Sequence, residues 1–365
     1  MVTLLKTPIY EDHIKHKGNM VSFGGYLLPS YYSSIKDEHN IVRTKVGLFD
    51  VSHMGQLKIS GNNALSFLQH MTINDVSKLK SGHAQYNILC NNEGGIVDDI
   101  ILYKNENNYM LVVNAANIKK DLEWLRKHNQ FDVLINDLSH STGLVAIQGP
   151  KSRSVMEILT NEDISKLKFY RFFITEIKNM KVMISRTGYT GELGYEIYSD
   201  RKYISDLWEI ILKAGKKFGI KPVGLGCRDT LRMEMKYTLY GDDINENINP
   251  IQAGLGWVTK FYKSNFIGKD AILRYTENRD KILVCISMEE RAIPRLGCSI
   301  YKSDKIIGFI TSGTMSPSLK VGIGLGYVAI SHSKPGTSIQ IDIRGIKKFA
   351  KIVKDPFYQN GSLMD

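Results

Sequence analysis

The sequence predicts an α+β protein whose C-terminal part is a small β domain. Three observations carry that reading. Apolar residues recur at helical spacing in several runs before residue 275, for example Ile204, Leu207, Trp208, Ile211 and Leu212. Short apolar or alternating runs bounded by turn residues lie between those helices. From about residue 280 the strand-like runs continue with no long helix among them, the texture of an antiparallel barrel or sandwich.

The elements follow in chain order. Leu57 and Ile59 alternate with Lys58 and Ser60, the period of a strand with one buried face. Ile100 to Tyr103 and Met110 to Val113 are apolar runs joined by the polar, Asn-rich stretch Lys104 to Tyr109, which reads as a hairpin. Ile118, Leu122 and Leu125 predict a helix with Asn117 as its N-cap. Val155, Ile158 and Leu159 predict another, with Pro150 at its first helical position, where the missing N–H costs nothing. Lys181 to Arg186 and Tyr195 to Tyr198 flank a Gly-rich turn as a second hairpin. Later strands are expected at Ile282 to Ser287, Ile306 to Ile310, Gly324 to Ile330, Ser338 to Arg344 and Phe349 to Val353. In the fourth of these, Ile339, Ile341 and Ile343 alternate with Gln340, Asp342 and Arg344.

Composition bounds the function. At roughly 150 residues per domain, 365 residues suggest about two domains. With 43% hydrophobic and 23% charged residues the chain is not a disordered one, which would lack the apolar surface to offset its ordering entropy. No stretch approaches the roughly 18 apolar residues that cross a bilayer, so no membrane span is expected. The charge of +11 suits a nucleic acid, an anionic membrane surface, an acidic protein or a polyanionic small molecule, and equally a solvated Lys-rich surface. Cys90, Cys227, Cys285 and Cys298 form no Cys-x-x-Cys pair and read as reduced, buried thiols. Met1 to Tyr10 lacks the apolar run of a signal peptide, and Glu11 and Asp12 argue against a transit peptide, so the expected compartment is the cytoplasm. His13 and His16 have no third ligand nearby, and no metal is expected. Aromatic residues do not interleave with basic runs as a nucleic-acid platform requires.

Three segments concentrate candidate chemistry. In Ser185-Arg186-Thr187-Gly188-Tyr189-Thr190-Gly191-Glu192-Leu193-Gly194-Tyr195-Glu196, three glycines at three-residue spacing imply a tight, backbone-exposed turn. No helix follows them, so this is no dinucleotide fingerprint. A plain Gly-rich hairpin explains the turn. Glu196 stands beyond it on the face opposite Tyr195 and Ile197, a side that can line a cleft. In Asn91-Asn92-Glu93-Gly94-Gly95-Ile96-Val97-Asp98-Asp99-Ile100, adjacent aspartates on a strand point to opposite faces and are not expected to form a close dyad. They are solvated strand-end acids, or one of them faces a cavity with a shifted pKa. In Gly224-Leu225-Gly226-Cys227-Arg228-Asp229-Thr230-Leu231-Arg232-Met233-Glu234, Gly-x-Gly before a helical pattern resembles an anion-binding helix start, though the ending of a phosphate loop is absent. Arg228 there can clamp a carboxylate, or pair with Asp229 or Glu234 on a solvated face. His53, within Asp50-Val51-Ser52-His53-Met54-Gly55, reads as a satisfied structural histidine ahead of a catalytic one.

Taken together, these segments resemble the glycine cleavage system T protein, a tetrahydrofolate-dependent aminomethyltransferase family. The resemblance runs through Leu5-Lys6-Thr7-Pro8, Gly47-Leu48-Phe49-Asp50-Val51-Ser52-His53-Met54-Gly55, Gly94-Gly95-Ile96-Val97-Asp98-Asp99, Gln148-Gly149-Pro150, Ser185 to Glu192, Gly224 to Arg228 and Thr311-Ser312-Gly313. It implies two interleaved folate-binding lobes over 1–275 and a C-terminal β-barrel over 280–360. It implies that an aminomethyl group on the lipoyl arm of an H protein gives its methylene to tetrahydrofolate, releasing ammonia. By the same resemblance Asp99 is the catalytic carboxylate, orienting the N10 side of the folate and stabilising a developing iminium cation. Glu196 is the pterin-binding residue, and Tyr86, Val112, Asn114, Tyr189, Arg228 and Trp257 match other folate-pocket positions. Arg295 and Tyr358 match C-terminal positions that approach the active site. A pocket position that carries Tyr in relatives falls on Phe169, which loses a hydroxyl. Gly24-Gly25-Tyr26 stands where the family has Gly-Gly-Trp, and Cys227 where Ala is common. The expected partners are tetrahydrofolate and an acidic, lipoylated H protein, with no nucleic acid and no membrane. Folate-dependent demethylases and folate-binding iron–sulfur assembly factors would share the fold and differ in substrate. A basic nucleic-acid-binding protein is the alternative of another class.

Overall fold

A computed structural model describes residues 4–365. The chain opens with β1 (Leu5–Lys6), α1 (Tyr10–Lys15), β2 (Asn19–Phe23) and β3 (Tyr26–Tyr31), whose strands form a small sheet in the order β1-β3-β2. Helix α2 (Ile35–Thr44) follows, started by Ser34, whose hydroxyl accepts from the Asp37 N–H.

The next two sheets are threaded through each other. Strand β4 (Gly47–Asp50) enters one sheet, and the chain then leaves it to build the other from β5 (Gly55–Ser60), α3 (Ala64–Met71), β6 (His83–Cys90), β7 (Ile96–Lys104), β8 (Asn108–Val113), α4 (Ile118–Lys127) and β9 (Leu134–Asp137). That sheet has the order β6-β7-β8-β5-β9. The chain returns to the first with β10 (Thr142–Gln148), α5 (Ser152–Leu159), β11 (Phe172–Ile177), β12 (Met180–Ser185), β13 (Gly194–Asp200), α6 (Ile204–Gly215) and β14 (Lys221–Pro222). Its order is β11-β12-β13-β10-β4-β14, so the lobes are interleaved along the sequence. Helices α7 (Leu225–Glu234) and α8 (Lys269–Glu277) lead to β15 (Lys281–Met288), β16 (Ser299–Lys302), β17 (Lys305–Met315), β18 (Gly322–Ala329), β19 (Ser338–Ile343) and β20 (Ile346–Val353). These six close a barrel in the order β15-β18-β17-β16-β19-β20, which decides between barrel and sandwich.

Burial explains the layering. Each lobe covers one face of its sheet with helices: Leu207, Trp208 and Ile211 of α6 pack with Tyr195 and Ile197 of β13, and Phe67, Leu68 and Leu125 pack with Ile59, Ile100 and Leu102. The other faces meet each other. Phe49, Val51, Ala146 and Tyr198 of one sheet share a core with Ala84, Tyr103 and Val112 of the other. Alternation along each strand therefore sends one residue set to the helices and the other to the interlobe layer.

Both expected hairpins form, with Ile101 opposite Val112 in β7–β8 and Ile184 opposite Ile197 in β12–β13. Two local expectations are corrected. Asn117 precedes α4 but makes no capping bond with its side chain; its amide donates instead to Asp98, 2.6 Å away. Pro150 lies outside α5, in a turn closed by the Ser152 N–H on the Gly149 carbonyl, and Lys151 takes the cap position. Strand β16 had no sequence expectation, being four residues with a register shift at Ile300/Tyr301.

Candidate active site

The Gly-rich turn between β12 and β13 is shaped by one side chain, Gln148 at the end of β10. Its Nε2 donates to the Thr187 carbonyl, and its Oε1 accepts from the Thr190 hydroxyl. A Cβ on Gly188 would sit 2.1 Å from Gln148 Oε1, and one on Gly194 would sit 2.3 Å from its Nε2. Gly191 is needed for a different reason, its φ of +77°. Gly191 and Gly194 are buried and Gly188 is half-buried, which corrects the expectation of a backbone-exposed turn.

That turn delivers Glu196 on β13 to the interlobe layer. Its Oε2 accepts from the Thr187 hydroxyl and, at 3.5 Å, from Tyr198. Tyr103 of the opposite lobe completes the group, its hydroxyl lying 3.1 Å from that of Tyr198 and 3.2 Å from that of Thr187. No protein donor among the described residues reaches Oε1. Burial raises the Glu196 pKa, against the hydrogen bond from Thr187 and the charge of Arg228.

Strand β7 supplies the other carboxylate. The Tyr86 hydroxyl donates to Asp99 Oδ2 at 3.1 Å, and the Asn114 amide donates to Asp99 Oδ1 at 2.9 Å. The same amide nitrogen lies 2.8 Å from Asp98 Oδ1. The two aspartates do leave the strand on opposite faces, yet a single amide at the end of β8 bridges them. Burial, with the Asp98 charge second, pushes the Asp99 carboxyl up to about 7, against the bonds from Asn114 and Tyr86. Tyr86 also stacks on Trp257, centroids 5.8 Å apart, and Trp257 is 63% exposed, at the solvent edge of the group.

Helix α7 brings Arg228 over the face of Tyr189, 4.6 Å from the ring centroid. No ion pair with Asp229 or Glu234 forms: Asp229 pairs with Arg232, and Glu234 with Arg43 and His39. The helix start has its own anion. Glu38 accepts from the Gly224 N–H and from the N–H groups of Tyr32 and Ser33, so the Gly-x-Gly turn is filled from within.

Asp99, Tyr86, Asn114, Glu196, Tyr189 and Arg228 thus gather where the lobes meet, with Trp257 beside them. Val112 is buried in the interlobe core. Arg295 and Tyr358 are not joined to this group. Arg295 is exposed on the barrel and donates to the Gly313 carbonyl, and the Tyr358 ring lies against Arg43. Sequence reasoning missed Tyr103 and Tyr198, which lie within largely apolar strands that mask their roles, and it missed Thr187 in the Gly-rich turn and Tyr170. Tyr170 packs in the interlobe core beside Tyr103, with Phe169 set edge-on against it, so a hydroxyl stands next to the position that lost one. His53 is buried but not satisfied: its Nδ1 has no partner, and burial lowers its pKa to about 4, leaving it neutral.

The GCVT N-terminal domain family matches residues 9–263, and the glycine cleavage T-protein C-terminal barrel domain matches 281–359. The chain belongs to the glycine cleavage T-protein family. It is 44% identical over 365 residues to an aminomethyltransferase of Halalkalibacterium halodurans, covering 99% of this chain and 100% of that one. It is 49% identical over 356 residues to one of Flavobacterium psychrophilum, covering 97% and 99%. The crystal structure of glycine cleavage system aminomethyltransferase T from Bartonella henselae superposes with a TM-score of 0.92 at 32% identity, covering 98% of this chain and 99% of that one. The protein is therefore an enzyme, an aminomethyltransferase of the glycine cleavage system, and the expected fold class and activity are both found. No helix among the described residues is long and apolar enough to cross a membrane.

Proposed function

We propose that the interlobe group seats tetrahydrofolate, with the amino edge of its pterin on Glu196 and its N10 side toward Asp99. The observation that supports this most is the meeting of two carboxylates from different lobes among aromatic rings, one of which, Glu196, keeps an oxygen without a protein donor. Glu196 keeps Oε1 for a parallel pair of N–H bonds, a geometry that carboxylates accept well. Tyr86, Tyr189 and Trp257 offer flat apolar surface to a flat heterocycle. Arg228, held on Tyr189, places a cation beside Glu196 and is suited to an anionic part of the ligand.

Asp99 acts as an electrostatic and positioning group. In its ionised form it stabilises positive charge as the methylene leaves the aminomethyl sulfur bond for the folate nitrogen, and Tyr86 and Asn114 hold its two oxygens in place during that change. The methylene donor is the aminomethyl group on the lipoyl arm of an H protein, and ammonia is the second product. The excess positive charge of this chain supports an acidic protein partner, whose association then slows as salt is added. Arg295 and Tyr358 remain proposed contacts on the approach from the barrel side.

Turnover of aminomethylated H protein with tetrahydrofolate tests the assignment. Asp99→Ala is expected to keep folate binding and to lose about 10²-fold or more in turnover, the scale of one lost electrostatic stabiliser. Turnover near that of the wild type would remove Asp99 from the centre of the reaction.

A further inference from the structure

Behind Asp99 lies a second acid that the reaction as described does not use. Asp121, on the first turn of α4, is completely buried, and neither of its oxygens has a hydrogen-bond partner. It stands one helical turn beyond Asn117, whose amide lies 2.6 Å from Asp98, so the same side of α4 carries it toward the Asp98 carboxyl on β7, its strongest charged neighbour. Two buried carboxyls side by side do not both ionise; one proton is shared between them. The donors around them decide which carries it. Asp98 receives the Asn114 backbone N–H at 3.0 Å, the Asn114 amide at 2.8 Å and the Asn117 amide at 2.6 Å. Asp121 receives none.

We propose that Asp121 is a positioning residue for the reaction, a neutral carboxylic acid whose O–H is directed at Asp98 and so fixes the Asn114 amide that holds Asp99. Asn117 explains why the helix cap was given up: its amide is spent on the same carboxylate. The other charged or titratable groups near Asp121 are Asp99, Lys120 of its own helix and Tyr240. Lys120 is committed elsewhere, donating to the Val97 carbonyl at 2.7 Å and to the Tyr240 hydroxyl at 2.5 Å. Burial, with the Asp98 charge second, pushes the Asp121 carboxyl up to about 11, in line with the donor count. Sharing the proton draws negative charge on Asp98 away from Asp99. Losing it concentrates that charge and makes Asp99 harder to ionise.

Two measurements on the full-length protein test this. The infrared difference between wild type and Asp121→Asn at pH 8 is expected to contain a protonated-carboxyl C=O band that disappears in the variant. Absence of that band means Asp121 is ionised and overturns the proposal. The pH profile of kcat/KM with aminomethylated H protein is the second. Asp121→Asn keeps an N–H donor toward Asp98, so its acid limb and turnover are expected to stay at wild-type values. Asp121→Leu is expected to move the acid limb up by about one pH unit and to lose about 10²-fold in turnover through a misplaced Asp99. An acid limb displaced downward in Asp121→Asn overturns the proposal, as does a wild-type limb in a folded Asp121→Leu. If Asp121→Leu does not fold, the infrared band and the Asp121→Asn profile still decide. The kinetic arm rests on the placement of Asp99 at the reacting centre and the infrared arm does not, so the two can fail separately.

Discussion

The Tyr86 hydroxyl donates to Asp99 Oδ2 across 3.1 Å, linking neighbouring strands at the point where the two lobes meet. The bond favours the charged form of a carboxyl that burial would otherwise keep protonated. Tyr86→Phe removes the donor and keeps the ring that stacks on Trp257. Its acid limb in kcat/KM is expected to rise by up to about one pH unit, with turnover at pH 9 little changed. A limb that stays or falls would show that Tyr86 does not tune Asp99.

The same carboxyl should cost stability. Its folded pKa, up to about 7, exceeds the unfolded value of about 3.9, so the native state binds the extra proton between those values. Stability is then lost as pH rises through that window, and the full cost is present above it. Asp99→Asn is expected to raise stability at pH 8 by about 1 to 3 kcal/mol, with the gain vanishing near pH 4. Thermal unfolding at the two pH values checks the sign, and an equal effect at both would refute it.

Glu196 and Asp99 should separate kinetically. Glu196→Gln keeps the shape beside Thr187 but loses the charge that accepts two parallel bonds. Tetrahydrofolate binding, followed by calorimetry, is expected to weaken about 10- to 100-fold, the range of a charge-assisted hydrogen bond. Thr187→Val, which removes a donor to the carboxylate and the contacts of that hydroxyl with Tyr103 and Ser185, should weaken it less. A full-affinity Glu196→Gln protein would move the pterin elsewhere.

Arg43 ties the barrel to the lobes. Its guanidinium bonds Glu192 beside the Gly-rich turn and Glu234 on α7, each at 2.8 Å. Glu234 in turn accepts from Ser316 and Ser318 between barrel strands. Although burial opposes it, His39, Arg43 and Ser316 together hold the Glu234 carboxyl at about 2. Arg43→Met removes the cation shared by two buried carboxylates and is expected to cost about 3 to 5 kcal/mol in urea unfolding. A loss below about 1 kcal/mol, the scale of exposed pairs, would mean that the cluster is not what joins the parts.

Much of this was legible in the residues. Helix α6 has one buried face, and the hairpins β7–β8 and β12–β13 are short apolar runs buried on both faces and bounded by turn residues, so each pattern states its element directly. Strand β16 and the cap of α4 were not legible, because one is too short to show a period and the other was overridden. Asn117 is a good cap by type, but its amide nitrogen is held by the buried Asp98 carboxylate, and that bond sets the side chain so that its oxygen makes no capping bond. Gly224 and Gly226 looked like a seat for a foreign anion, and only contact between distant segments revealed Glu38 already there.

By itself the sequence determined the α+β class, the terminal β domain and the family resemblance, which in turn pointed to Asp99 and Glu196, because side-chain periodicity and motif spacing are properties of neighbouring residues. The tertiary structure decided how those carboxylates are surrounded. Tyr103 reaches Thr187 and Tyr198 from another lobe, Asn114 spans two strand faces, and Asp121 lies against Asp98 from a helix. Burial and hydrogen bonding across the chain set which of those acids carries a proton, and such contacts have no spacing in the sequence to reveal them.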